Sequence, residues 1–362
     1  MRLMSTMSPR QFVSHLRFLR SRPRVAVRLI ANVYHAFLRQ RPRMKNMELA
    51  VTYRCNQKCE MCSATTLARE DARVLSVDEI IDLVERCKLL GLVHVDLTGG
   101  EPLLRPWDEL VAIVEGLSRK KDIIIAMATN GLLATSERLA RLRQAGLTQV
   151  LFNLQSADAY KHDRIVGVAG SFSKAVLGVV QAKRLGYSVC INTVIGRHNF
   201  DDIVCLGERC KEWGAFLALN LAACAGEWRT EHEKKLTEEW YARYSALLRQ
   251  PHVRSDNIIN FKTLGWGCPG GIEKIYVTEY GEILQCPFVQ VSYGNVREEP
   301  VDQIFKRMSG SRFISKYSER CKHVFSEEFR KEWLEPLDDF PILPIRYNEH
   351  PYYMRRIGGK GE

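Results

Sequence analysis

Apolar positions change period repeatedly along the chain, and each change predicts an element. Met47 to Tyr53 is an apolar run with the character of a buried strand. Ser76, with Glu79 three residues on, makes a capping box that opens a helix running through Leu90. The pattern then predicts strand His94–Thr98, helix Trp107–Ser118, strand Ile123–Thr129 and helix Ser136–Gln144, stopped by Gly146. Strand Gln149–Leu154 follows, then a helix around Phe172–Leu185 stopped by Gly186, strand Ser188–Val194, helix Ile203–Trp213 and strand Phe216–Leu221. Strand and helix alternating in this way imply an α/β fold with a parallel sheet and right-handed crossovers. Neither a Rossmann glycine fingerprint nor a phosphate-binding loop occurs among these units.

Outside this alternation the pattern differs. Before it, Phe12, Val13, Leu16 and Leu19 recur at helical spacing, Pro23 breaks the run, and Val25, Leu29, Ile30, Val33 and Phe37 resume it. After it, Leu236, Trp240, Tyr244 and Leu247 share one face of a connecting helix over residues 230–248. Ile275-Tyr-Val277 and Ile283-Leu-Gln285, joined by a tight turn at Gly281, predict a β-hairpin.

Charge changes the picture only at the amino end. The chain has 362 residues with 53 Lys+Arg against 42 Asp+Glu, a net +11. Residues 1–47 hold eleven of the basic residues and no acidic one, Glu48 being the first, so the remaining charges balance at 42 and 42. A basic amphipathic leader is the composition expected at an anionic membrane surface. Packing on the barrel, an acidic partner protein and a transit peptide are the competing readings. Membrane docking would present the barrel mouth to a lipid-linked substrate. Nucleic acid is disfavoured, because the rest of the chain is neutral and carries no nucleic-acid-binding signature. Eleven cysteines in an irregular pattern, with no secretory leader and no apolar run long enough to span a bilayer, predict a cytoplasmic protein whose thiols ligate cofactors.

The densest chemistry is Cys55-Asn-Gln-Lys-Cys59-Glu-Met-Cys62, on the loop after the first strand. Three thiols from one loop leave a fourth ligand to come from elsewhere, or a coordination position open. On spacing alone, zinc, iron–sulfur and unrelated core cysteines all remain. Downstream, Leu97-Thr98-Gly99-Gly100-Glu101-Pro102 closes the second strand.

A CxxxCxxC loop after a first strand, followed by GGEP after the second, resembles the signature of the radical S-adenosylmethionine (SAM) superfamily. The resemblance implies a partial (β/α)6 TIM-like barrel. Cys55, Cys59 and Cys62 would hold a [4Fe–4S] cluster whose fourth iron binds SAM. Gly99, Gly100, Glu101 and Pro102 would receive the methionyl amino group, with Met61 as the apolar residue usual beside the cluster. Thr129-Asn130-Gly131 matches a frequent TNG after strand three. The run Asn153-Leu-Gln-Ser156-Ala-Asp158, then His162-Asp-Arg164 and Gly167, resembles the stretch that holds the SAM ribose and carboxylate. Gln155 and Ala157 depart from its commoner wording, and Val166 replaces a frequent arginine, leaving Arg164 for the carboxylate. Asn192 would meet the ribose and Leu221 the adenine. A reductant such as flavodoxin or ferredoxin is implied.

Cys268-Pro, the hairpin, Cys286-Pro, Gly294-Asn-Val and Cys321 resemble the auxiliary-cluster domain called SPASM or, when shortened, Twitch. Cys268, Cys286 and Cys321 would then hold an auxiliary [4Fe–4S] cluster, with His323 or a substrate atom as fourth ligand, because Val324 stands where a Cys-x-x-Cys would end. Loss of that cluster is the competing reading. Cys224, at the barrel mouth, is a weak candidate for a catalytic hydrogen donor. The implied organisation is a leader (1–46), core barrel (47–228), linker helix (229–258), Twitch-like domain (259–330) and C-terminal tail (331–362). The substrate would be a natural product, a lipid-linked molecule or a peptide. A non-catalytic iron–sulfur or zinc protein that keeps the barrel for regulation or assembly is the alternative.

Overall fold

A computed structural model describes residues 21–39, 43–70, 72–223, 228, 234–255, 268–311, 314, 318 and 320–358. The first leader helix expected, around residues 12–19, lies outside them, as does Cys224.

The alternation builds one sheet. β1 (Asn46–Thr52), β2 (His94–Gly99), β3 (Ile124–Thr129), β4 (Gln149–Asn153), β5 (Ser188–Ile195) and β6 (Phe216–Leu221) lie side by side in chain order, each pair parallel. Alternate residues of each strand share one face and are buried together in a single core. α1 (Pro23–Phe37) precedes the sheet. The crossovers are α2 (Val77–Leu89), α3 (Trp107–Ser118), α4 (Ser136–Ala145), the pair α5 (Ala159–Val166) and α6 (Ser171–Arg184), and α7 (Phe200–Glu212). Ser76 and Glu79 make the expected reciprocal cap on α2. α5 has no counterpart in the sequence reading, where its short polar stretch shows little apolar period. Asp158 caps it by accepting from Lys161 N, and Gly167 ends it.

Two strands extend the sheet. After α8 (Glu238–Leu247), β7 (Val253–Ser255) joins the free edge of β6, where the sequence pattern predicted only a linker helix. β8 (Lys274–Val277) pairs in parallel with β1 and turns into β9 (Ile283–Leu284), giving the order β7-β6-β5-β4-β3-β2-β1-β8-β9 and no closed ring among the described residues. The hairpin is therefore continuous with the barrel sheet. A buried Lys45–Glu273 ion pair joins the start of β1 to the segment before β8. β10 (Val291–Ser292) pairs with β11 (Ile345–Arg346), α9 (Val301–Ser309) and α10 (Lys322–Phe325) lie between them, and Trp333 and His350 beyond α10 are fully buried. The segment read as a tail is packed core through these residues.

α1 sits beneath the sheet. Arg28 donates to the Leu92 carbonyl (2.7 Å) and pairs with Asp122 (3.0 Å), Arg22 donates to the Ile123 carbonyl, and Asn32 donates to the Gly91 carbonyl (2.8 Å). These acceptors immediately precede β2 and β3, so α1 caps the amino ends of the strands, opposite the mouth. The attached face carries the polar contacts of Arg28 and Asn32 together with the buried Val25 and Ala36. The opposite face leaves Val27, Ile30 and Leu38 64, 70 and 74 % exposed. A surface resting on that face would meet the end of the barrel away from its mouth, which removes the expected presentation of the mouth to lipid. Among the described residues no single helix is long and apolar enough to cross a membrane.

Asp122 also accepts from the buried ammonium of Lys88 (2.7 Å). D122A is expected to cost about 3 kcal/mol, because it takes one partner from Lys88, which keeps Glu85 (2.7 Å), and one from Arg28. R28A should cost less, about 1–3 kcal/mol, since Lys88 still satisfies Asp122. Urea unfolding midpoints of both variants check the order.

Arg297, after β10, reaches back to Glu79 (2.7 and 2.9 Å) and to the carbonyls of Arg73 and Val74. Its hydrogen bonds, with the Ser76 amide, hold the Glu79 carboxyl down to about 2. A depressed carboxyl stabilises above its unfolded value of about 4.3 and loses that contribution as pH falls through the folded value. The melting-temperature gap between the native chain and R297A is expected to be full at pH 6 and to narrow from about pH 4 towards 2.

Candidate functional site

The cysteine loop leaves the carboxyl end of β1 and is held from both sides. On one side, the amides of Gly100 and Glu101 donate to the carbonyls of Thr52 (2.7 Å) and Arg54 (2.8 Å). On the other, the amides of Lys58 and Glu60 donate to the carbonyls of Val166 (3.0 Å) and Ile165 (3.2 Å), at the end of α5. Asn130 Nδ2 reaches Asn56 Oδ1 at 2.7 Å, and Gln57 bonds Ser171 at the start of α6. Two other βα loops and two helices thus fix the loop's path.

The glycines of GGEP serve this contact. Gly99 has φ +123°, and a Cβ there would stand 2.2 Å from the Thr52 carbonyl; at Gly100 it would stand 2.4 Å from that of Arg54. The chain that approaches so closely is the cysteine loop itself, where the sequence reading assigned the glycines to a ligand. Glu101 differs from expectation too. It is fully buried, Oε1 accepting from Thr129 Oγ1 (2.8 Å) and Leu103 N (3.0 Å), and Oε2 from Asn130 N (2.7 Å). Burial pushes its carboxyl up to about 7, against these donors, which hold it down. Glu101 therefore ties the end of β2 to the end of β3, and its carboxylate is shielded from any ammonium at the mouth. Pro102 is buried, opening the one-turn helix Pro102–Leu104.

The three thiols sense one another. Burial, then Cys62 and Cys55, push the Cys59 thiol up to about 12. Cys55 is exposed, while Cys59, Met61 and Cys62 are half-buried. Three neighbouring, partly exposed thiols on one loop leave room for a metal group and a further ligand.

The ends of β4, β5 and β6 carry an amide ladder. Asn192 Nδ2 donates to Asn153 Oδ1 (3.0 Å), and Asn220 Nδ2 to Asn192 Oδ1 (2.6 Å); all three are half-buried. Asn153 and Asn192 were expected here. Asn220 was missed, although its place at the end of strand six, before the expected Leu221, was a usable signal. Ser156 is fully buried, bonded to Asp202 Oδ2 (2.5 Å) and the Asp158 amide (2.9 Å), so it orders the β4 loop. Arg164 is exposed in the last turn of α5, one residue from the carbonyls that hold the cysteine loop. Beyond β6, the buried Trp228 donates to Glu60 of the cysteine loop (3.1 Å) and lies under Lys234 Nζ (4.3 Å to the ring). Nothing in the sequence pattern marks that contact.

The second cysteine set converges as well. Cys268, Cys286 and Cys321 line one cavity with Gln285, Ser318 and His323. Cys268 bridges backbone to Ser318, Cys286 opens the turn after β9, and Cys321 is the N-cap of α10. Burial and the other two thiols push Cys286 above the ordinary thiol range, and burial with Cys268 pushes Cys321 up to about 12. Thiols protonated in this way bind metal only by releasing protons.

Residues 49–206 match the profile of the Radical SAM superfamily. These residues carry a radical SAM domain, and the chain is an enzyme. It is 26 % identical over 293 residues to the AdoMet-dependent heme synthase of Methanosarcina barkeri, covering 73 % of this chain and 82 % of that protein. The protein of the same name from Nitratidesulfovibrio vulgaris is 26 % identical over 297 residues, covering 74 and 80 %. Among solved structures, SuiB of Streptococcus suis bound to precursor peptide SuiA has a TM-score of 0.57 at 16 % identity, covering 76 % of this chain and 67 % of that one. AdoMet-bound anSMEcpe has 0.55 at 18 %, covering 76 and 82 %. These two likenesses show a shared fold.

E101Q separates a brace from a direct ligand. Gln keeps one acceptor oxygen where three donors converge, so E101Q should lower stability by about 1–3 kcal/mol and weaken SAM binding with it. Weaker SAM binding at an unchanged melting temperature would assign Glu101 to the ligand instead. Thermal denaturation and equilibrium dialysis read the two.

Proposed function

We propose that this enzyme cleaves SAM reductively and abstracts a hydrogen atom from an organic substrate, with a second, auxiliary cluster in a Twitch-like domain. The observation that carries the reading is the cysteine loop held between the GGEP turn and α5, with its three thiols as neighbours. Cys55, Cys59 and Cys62 would hold a [4Fe–4S] cluster and Cys268, Cys286 and Cys321 the auxiliary one. With SAM and a low-potential donor of the flavodoxin or ferredoxin kind, the first cluster would supply the electron that splits SAM into methionine and a 5′-deoxyadenosyl radical. The chain's residues bind and orient. Gly100 and Glu101, through their amides, fix the loop. The Asn153–Asn192–Asn220 ladder presents amide groups suited to ribose hydroxyls, and the exposed Arg164 suits the SAM carboxylate. Met61 and Leu221 supply apolar contact, and Trp228 against Glu60 helps to exclude water.

The loop C55A/C59A/C62A variant is expected to make no 5′-deoxyadenosine with dithionite and SAM, while the reconstituted native chain does. The variant should retain about four irons, the content of one cubane. Cleavage persisting in it would overturn the SAM site, and iron near zero would overturn the auxiliary cluster.

The leader supports peripheral binding at an anionic membrane surface, such as the inner face of the cytoplasmic membrane. Val27, Ile30, Tyr34, Phe37 and Leu38 form an outward stripe on α1, and the leader's basic residues lack any acidic neighbour in sequence. Each basic residue near such a surface contributes roughly 1 kcal/mol. Vesicles rich in phosphatidylglycerol should sediment the full chain, and salt should release it, the attraction decaying over about 8–10 Å. The I30E/L38E variant alters only the stripe and keeps the Arg28 and Asn32 contacts. Equal sedimentation of variant and native chain would return α1 to a purely packing role.

A further inference from the structure

If the second cysteine set holds a cubane, its three thiols leave one iron without a protein ligand, and the identity of the fourth ligand rests on that auxiliary-cluster reading. Val324 occupies the position where a second cysteine after Cys321 would stand. The cavity lined by the three thiols instead holds two buried polar atoms with no hydrogen-bond partner, His323 Nδ1 and Gln285 Oε1. Leaving such an atom unsatisfied costs about 1–3 kcal/mol, and each residue is over nine-tenths buried, at 6 and 8 % exposure. His323 lies in the first turn of α10, two residues after Cys321, with its ring 6.0 Å from that of Phe288. The same short helix therefore carries one thiol and one orphaned imidazole nitrogen to the same cavity.

The two orphans differ as ligands. A carboxamide oxygen is a hard donor suited to magnesium, calcium or manganese. An imidazole nitrogen is accepted by iron–sulfur clusters, and replacing thiolate with it raises the reduction potential. We propose that His323 is the fourth protein ligand of the auxiliary cluster, giving a site of three thiolates and one imidazole. Such a cluster has no iron open to substrate. It serves electron transfer, and substrate binds elsewhere. Exchanging an anionic thiolate for a neutral imidazole also sets its potential above that of an all-thiolate counterpart.

The test uses the full-length C55A/C59A/C62A chain, in which the auxiliary cluster stands alone, reconstituted anaerobically and labelled with [15N]histidine. Pulsed EPR of the reduced cluster is expected to show the hyperfine coupling of a directly bound nitrogen that responds to the label. That coupling should vanish in H323A and persist in Q285A, and the midpoint potential of H323C should fall below that of the parent. The labelled parent needs no substitution at position 323, so misfolding of H323A cannot decide the matter. A cluster of about four irons without a histidine coupling would overturn His323 while leaving the auxiliary cluster in place. A coupling that persists in H323A would also overturn it. An iron-free chain would overturn the cluster reading itself.

Discussion

The peptide at Gly99–Gly100 lies against the carbonyls of Thr52, Tyr53 and Arg54, closer than any side chain allows. The rest of the site depends on that contact. It places the second βα turn directly on the cysteine loop, so the position of the thiols is set by backbone hydrogen bonds rather than by rotamers. Glu101 then carries the constraint one strand further, through Thr129 and Asn130, and Asn130 returns it to the loop at Asn56. A buried carboxylate that accepts three donors is stable only while all three are present. The turn, the TNG corner and the cysteine loop therefore form one cooperative unit.

The two cysteine sets grow from neighbouring strands. β1 ends in the cysteine loop, and β8, its parallel neighbour, begins just after Cys268 in a hairpin that runs on to Cys286. The buried Lys45–Glu273 pair and the Tyr53–Tyr276 hydroxyl contact (3.1 Å) join the same two strands at either end. Arg297 adds a third tie at Glu79. A small auxiliary segment anchored in this way gains the rigidity of the sheet, which a separate domain of that size would lack.

The leader reverses the usual economy of an amphipathic helix. α1 attaches through arginine and asparagine side chains to backbone carbonyls at the strand starts, leaving its apolar stripe outward. Those carbonyls sit at the amino ends of strands whose hydrogen-bonding partners have run out, so guanidinium and carboxamide donors satisfy them.

The sequence alone determined the alternation of β1 to β6 with their helices, because apolar period, capping box and glycine stops are local signals. It also marked the two cysteine sets as candidates, the first by CxxxCxxC followed by GGEP, since spacing alone leaves zinc and core cysteines open. Strand pairing beyond that order was decided by tertiary structure. β7 is three residues long and β8 four, too short to carry a period, and each is a strand because an open sheet edge accepted it. The bracing contacts of Glu101 and Ser156 also come from there. A carboxylate and a hydroxyl at strand ends read equally well as ligands or as braces, and only their burial against Thr129, Asn130 and Asp202 separates the two. The convergence of His323 and Gln285 on the second cavity belongs to the same class. Both are ordinary residues in the sequence, and their missing partners become visible only when the thiols around them are in place.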